Sequence, residues 1–259
     1  MIQKWALITG ASSGIGMALA QRFAKEGWQL VLVARDLPKL SALSETIEEA
    51  HQVRPVVIQK DLLDHDAPRQ IFDQLLAHGI RIDVLVNNAG IGACGLFQNI
   101  PDDKHAQIIS LNICALTSLS KIAVSHMRQH GGGKILNVAS TGAYQPGPYI
   151  AVYYATKAYV LSLTQALRKE LKQSGIVVSA LCPGSTSTAF SARAGKADIK
   201  GAMSAQRVAD AAYKGLAKGR AVIIPGTANK VLVLFSKLLP GSLSAAIVHR
   251  IQKKLTDSF

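Results

Sequence analysis

Trp5-Ala6-Leu7-Ile8-Thr9-Gly10-Ala11-Ser12-Ser13-Gly14-Ile15-Gly16 decides the architecture. An apolar strand, Trp5–Thr9, runs straight into glycines spaced G-x-x-x-G-x-G, and Ile15–Lys25 continues at helical spacing. Gly10 permits the tight turn out of the strand. Gly14 and Gly16 let the backbone and the helix approach a pyrophosphate, and the helix N-terminus offers unpaired N–H groups and positive potential to it. Three glycines alone signal little. At the end of the first strand of an alternating chain they mark a dinucleotide loop.

The alternation continues outward from that loop. Strands are predicted at Leu30–Ala34, Val56–Gln59, Val84–Asn87, Lys134–Ala139, Val177–Leu181 and Ala221–Ile224. Between them the spacing predicts helices at Leu37–Ala50, Ala67–Ala77, His105–Arg128, Val152–Leu171 and Ala205–Lys218. Leu30–Ala34 is continuously apolar, as a strand buried on both faces requires. The expected fold is α/β: a Rossmann-type, doubly wound, seven-stranded parallel sheet with helices on both faces. Residues 1–226 are expected to form one dinucleotide-binding domain, with a mobile lid at about 185–203, and residues 227–259 a basic amphipathic helical extension.

With 259 residues, 49% of them hydrophobic, the chain can bury a core without staples. Three cysteines without a CxxC pair exclude a disulfide scaffold and point to a reducing cytosol. The formal charge is +13, yet residues 193–259 carry twelve Lys/Arg against three Asp, which is +9 of it. The basic residues lack aromatic interleaving and no nucleic-acid motif accompanies them, so nucleic acid is not expected as a partner. No stretch of about 18 uncharged apolar residues is found, and the nearest, 231–248, is broken by Lys237 and Pro240-Gly241. The histidines show no paired ligand spacing such as HExxH. His126 and His130, four apart at a helix end, read as solvated C-terminal residues, and no metal site is expected.

The end of the second strand selects the dinucleotide. A carboxylate there accepts from the ribose 2′-OH of NAD. Ala34 removes it, and the planar fork of Arg35 suits a 2′-phosphate, so NADP(H) is favoured over NAD(H). Asp36 leaves two alternatives open: a ribose acceptor, or a neutralising partner for Arg35.

Tyr153 and Lys157 stand four apart on one predicted helical face. An ammonium near a phenol stabilises phenolate and lowers its pKa, which equips the pair for proton transfer at a carbonyl or alcohol oxygen. Ser140 closes strand five, Asn87-Asn88-Ala89-Gly90 follows strand four, Asn112 lies in the preceding helix and Pro183-Gly184 follows strand six. With the glycine loop, this order resembles the short-chain dehydrogenase/reductase family over about residues 4–225.

The resemblance implies roles position by position. Tyr153 would protonate the carbonyl oxygen, Ser140 would polarise that carbonyl, and Asn112 would hold a water in a relay toward Lys157. Lys157 would bind the nicotinamide ribose and lower the Tyr153 pKa. Gly10, Ser12, Ser13, Gly14, Ile15 and Gly16 would cradle the pyrophosphate. Asp61 would meet the adenine amine, Asn88, Ala89 and Gly90 the adenosine-side ribose and sheet end, and Pro183, Gly184, Thr186 and Thr188 the nicotinamide end. Ser13 departs from the basic residue that many NADP-using relatives carry there. Tyr154 points elsewhere round the helix and reads as packing. The family's dimers and tetramers form through two long helices, here 105–128 and 152–171, so a homodimer or homotetramer is expected.

On the substrate side, Leu96, Tyr144, Tyr149 and Phe190 are expected to line an apolar pocket for a hydrophobic ketone, aldehyde or secondary alcohol. Arg193 and Lys196 in the lid keep an anionic handle open as the alternative. The tail reads as two amphipathic helices around Pro240-Gly241, with two roles open: peripheral contact with an anionic membrane, or packing on the lid or another subunit. A cytoplasmic enzyme is the leading reading, with attachment at the inner face of a membrane as the alternative location. A cofactor-sensing protein with little turnover is the second, disfavoured because all four catalytic positions are retained.

Overall fold

The computed structural model describes residues 3–195 and 201–256. Seven parallel strands form the main sheet: β1 (Trp5–Thr9), β2 (Gln29–Ala34), β3 (Val56–Gln59), β4 (Val84–Asn87), β5 (Gly133–Val138), β6 (Ile176–Leu181) and β9 (Val222–Ile223). Their order is β3-β2-β1-β4-β5-β6-β9, so the winding reverses between β1 and β4 and opens a crevice at the carboxyl ends of those strands. The doubly wound sheet expected from the alternation is present. A pair not expected, β7 (Thr186–Ser187) with β8 (Met203–Ser204), ties the two ends of the lid region together. Between them lies the short helix α7 (Phe190–Arg193). Lys196 falls outside the described residues.

One side of the sheet packs on α1 (Gly14–Lys25), α2 (Leu37–His51) and α8 (Ala205–Ala217), around Ile8, Leu19, Phe23, Leu32 and Leu40. Phe23 anchors this layer, edge-on to Trp28 (5.5 Å) and Tyr213 (5.0 Å). The other side packs Leu7, Val31, Leu85 and Ile135 against α3 (Ala67–Ala77) and the helix that carries Leu119, Ala123 and Met127.

That helix starts at Asp102, earlier than the sequence predicts. It runs as α4 (Asp102–Ile109), a π-helical segment (Ser110–Ala115) and α5 (Leu116–Gln129). Among the described residues it alone is long and apolar enough to cross a bilayer. The sequence reading overlooked it and singled out 231–248. Ile108, Ala115, Leu119, Ala123 and Met127 lie buried in the domain, which accounts for the helix's apolar character.

The remaining helix of the core is α6 (Ala151–Glu170). The tail forms α9 (Thr227–Leu238) and α10 (Gly241–Thr256), split at Pro240 as expected. His126 is not merely solvated: its Nε2 accepts from the Ile82 N–H (3.1 Å), and burial lowers its pKa.

Candidate active site

A cavity of about 610 Å³ opens at the carboxyl ends of the strands. One end is walled by Gly10, Ser12, Ser13, Gly14 and Ile15. Ser13 occupies the N-cap position of α1 with no side-chain cap, so the first-turn N–H groups have no partner from that side chain. Gly10, at φ +64°, makes the turn. Gly16 stands behind the loop, where a Cβ would lie 2.2 Å from the Gly10 carbonyl oxygen. The loop is fastened to β4: Asn88 Nδ2 donates to the carbonyls of Thr9 (2.9 Å) and Gly10 (3.2 Å), while Thr9 Oγ1 accepts from the N–H groups of Asn88 and Ala89. A backbone cradle with uncapped N–H groups and no room for side chains fits a dinucleotide pyrophosphate.

Toward β2 the wall consists of Arg35, Asp36, Lys39, Lys60 and Asp61. Asp36 takes neither role left open above. Its carboxylate caps α2, accepting from the Lys39 N–H (3.1 Å), and pairs with the Lys39 ammonium, which holds its pKa below the ordinary carboxylate value. Arg35 pairs instead with Asp61 at 3.6 Å, both well exposed. This end thus sets three cations, Arg35, Lys39 and Lys60, beside two carboxylates.

The opposite end holds Ser140, Tyr153, Lys157, Pro183, Gly184, Thr186 and Thr188. Burial raises the Tyr153 pKa above the ordinary phenol value and Tyr154 adds to the rise, while a hydrogen bond with Ser140 opposes it. Lys157 lies one turn further along α6. Its Nζ donates to the Val138 carbonyl (2.8 Å) and lies 5.5 Å from the centre of the Tyr153 ring. Burial pushes the Lys157 ammonium down to about 8.

Asn112, on the π-helical turn, sits behind the wall. Its Oδ1 accepts from Ile91 N (3.0 Å), and its Nδ2 donates to Ile91 O (2.9 Å) and Thr156 Oγ1 (3.0 Å). The side chain is thus committed to shaping the turn after Gly90. A Cβ on Gly90 would approach Asn112 Oδ1 to 3.1 Å and Lys157 Nζ to 3.4 Å, so glycine keeps the space between them open.

Of the residues expected to meet substrate, only Phe190 lines this cavity, 5.2 Å ring to ring from Tyr153. Tyr144 turns toward the tail: its hydroxyl lies 3.9 Å from Cys182 Sγ and its ring under Lys237. Tyr149, at φ +65°, packs at a tilt against His249 of α10 (ring centres 5.1 Å apart) and lines a separate small pocket. Leu96 is exposed at the start of a short 3₁₀ turn. Tyr154 packs over Gly142 and Gly147 as read, but it also reaches the cavity wall. Sequence reasoning missed Lys39 and Gln252, and it placed Arg193 in the lid without its partner. Arg193 bends back to Ser13 Oγ (3.4 Å), and Gln252, from the last helix, donates to the Tyr154 hydroxyl (3.4 Å). No local pattern marks either contact, since 180 and 98 residues separate the partners.

The family model for short chain dehydrogenase matches residues 4–198. The 17-beta-hydroxysteroid dehydrogenase type 3 of Rattus norvegicus is 35% identical over 187 residues, 71% of this chain and 60% of that protein. The very-long-chain 3-oxoacyl-CoA reductase-B of Danio rerio is 35% identical over 192 residues, 73% and 61% of the two chains. The chain thus spans about three fifths of the length of these relatives. Among solved structures, a short-chain dehydrogenase from Sphingobium yanoikuyae in complex with NADPH is similar at TM-score 0.83 and 36% identity, covering 90% of this chain and 92% of that one. A bulky-bulky ketone specific alcohol dehydrogenase from Comamonas testosteroni gives 0.79 and 33%, covering 92% and 93%. Matched in sequence and in fold across most of its length, the chain belongs to the short-chain dehydrogenase/reductase family.

Proposed function

We propose that this protein is an NADP(H)-dependent reductase of bulky, hydrophobic ketones or aldehydes, running in reverse on the corresponding secondary alcohols. The observation that carries the reading is the convergence of Ser140, Tyr153 and Lys157 on one cavity with the glycine loop and the Arg35/Lys39 pair. Arg35 and Lys39 would hold the 2′-phosphate, which would replace the exposed Asp61 as the partner of Arg35 and share Lys39 with Asp36, the cap of α2. The loop would hold the pyrophosphate, and Pro183, Gly184, Thr186 and Thr188 the nicotinamide end.

When bound, the reduced nicotinamide supplies a hydride to the carbonyl carbon. Tyr153 supplies the proton to the carbonyl oxygen, and its raised pKa keeps it protonated until that oxygen gains charge. Ser140 donates a hydrogen bond to the same oxygen. Lys157, near Tyr153 and buried, stabilises the phenolate left behind and returns a proton to it. Asn112 is a positioning residue, holding Ile91 and Thr156 around this group. The apolar wall of Ile91, Leu111 and Phe190 supports a hydrophobic substrate, in keeping with the ketone, steroid and long-chain acyl names of the relatives. The exposed outer face shared by the 102–129 helix and α6, with Ile109 and Tyr159, suits a homodimer.

The test is NADPH oxidation followed by absorbance across a panel of bulky ketones, for wild type and Tyr153→Phe. Turnover lost in the variant with NADPH binding kept is expected; NADPH binding without turnover of any carbonyl by wild type refutes the enzyme reading. Arg35→Ala should weaken NADPH far more than NADH.

A further inference from the structure

Helices α9 and α10 wear their apolar residues outward. On α9, Val233 is buried and Ser236 Oγ bonds Gln145 Oε1 (2.8 Å), which fixes the inner face. Val231, Leu234, Phe235 and Leu238, at i, i+3, i+4 and i+7, are 51%, 58%, 59% and 73% exposed. On α10, Ser244, Val248 and Gln252 are buried, while Leu243, Ile247 and Ile251 form a second outward row. Of the fifteen exposed large hydrophobics among the described residues, eight belong to these two helices, so the exposure is concentrated rather than scattered. A helix at the surface of a soluble domain ordinarily turns such a stripe inward.

The charge around the stripes identifies what they meet. Residues 211–256 contain eight Lys/Arg and no Asp or Glu. Lys230, Arg250, Lys253 and Lys254 are exposed on the two helices themselves. Apolar rows with long cations among them match a lipid–water interface, where the stems lie along the acyl boundary and the charges reach anionic headgroups. A second copy would set one acid-free surface against another, so like charge disfavours it. Ile251, in the outward row, is followed by Gln252 in the cavity wall, so the surface that would touch lipid borders the site.

We propose that α9 and α10 dock the protein on an anionic lipid surface. The experiment is co-sedimentation of the full chain with phosphatidylcholine vesicles, with and without phosphatidylglycerol, at low and high salt. Wild type should pellet with the anionic vesicles at low salt and be released by high salt. Lys230→Gln with Arg250→Gln should lower partitioning by roughly 25-fold, at about fivefold per cation. Leu234→Ser with Phe235→Ser should abolish binding while leaving turnover of a water-soluble ketone unchanged. Leu238→Trp, which keeps the stripe apolar, should show a blue-shifted emission when anionic vesicles are added. Wild type remaining in the supernatant, an unshifted Leu238→Trp emission, or binding indifferent to both headgroup charge and the double variants overturns the proposal. So does a wild type that ignores vesicles but forms an oligomer that Leu234→Ser with Phe235→Ser dissociates, which would assign the face to a second copy.

Discussion

Replacing Gly16 by alanine tests the loop most directly. Gly16 lies on α1, where alanine would normally stabilise a helix by about 1 kcal/mol. Here the new Cβ would stand 2.2 Å from the Gly10 carbonyl oxygen and 2.5 Å from Asn88 Nδ2, both inside the 3.0 Å that real Cβ atoms respect. Neither neighbour can yield freely, because Asn88 Nδ2 already bonds the Thr9 and Gly10 carbonyls. Relief requires moving the loop off β4. Overpacking costs about 1–3 kcal/mol, and the two Asn88 bonds contribute about 1 kcal/mol each. Less the helical gain, the net loss is about 2–4 kcal/mol. For a chain of this size that is a drop of roughly 4–16 °C in Tm. The displaced loop should also weaken NADPH by at least about tenfold, since the phosphates lose the helix N-terminus. Urea unfolding and calorimetric titration with NADPH measure both. Gly241→Ala is the control: nothing lies within 4 Å of its Cβ position, so no loss is expected. A Gly16→Ala protein with stability changed by less than about 0.5 kcal/mol and unaltered NADPH affinity would refute the reasoning.

Asp36→Ala should lower Tm through the lost cap on α2 and leave NADH affinity unchanged; weaker NADH binding would show Asp36 acting on the ribose after all. His126 has a folded pKa below the usual histidine value, so the unfolded chain takes up the proton first. The neutral ring's contribution is present above pH about 6.5 and is lost as pH falls through the folded pKa. Tm should therefore decline on acidification, less steeply in His126→Gln, and equal slopes would count against it. Gln252→Leu should reorder kcat/KM across the ketone panel without changing NADPH affinity, because Gln252 meets the wall at Tyr154, far along the cavity from Arg35.

The strands and most helix ends were legible because their signals are local. Trp5–Thr9 and Val84–Asn87 are apolar runs closed by turn residues, and the structure begins and ends them there. The π-helical segment was not legible, since the 102–129 stretch keeps one helical period through it. The β7–β8 pair was missed for another reason: each strand is two residues long and exists only through its partner.

The same division runs through the site. Sequence alone determined the glycine loop and the Tyr153–Lys157 spacing, because a turn and an i, i+4 pair are set by backbone geometry within a few residues. Only the tertiary structure decided that Asp36 caps α2 rather than facing Arg35, that Lys157 bonds the Val138 carbonyl, and that Tyr144 and Tyr149 face the tail. Only it brought Gln252 to Tyr154. Those outcomes depend on which of several polar partners the packed core brings within about 3 Å, and no periodicity in the chain encodes that choice.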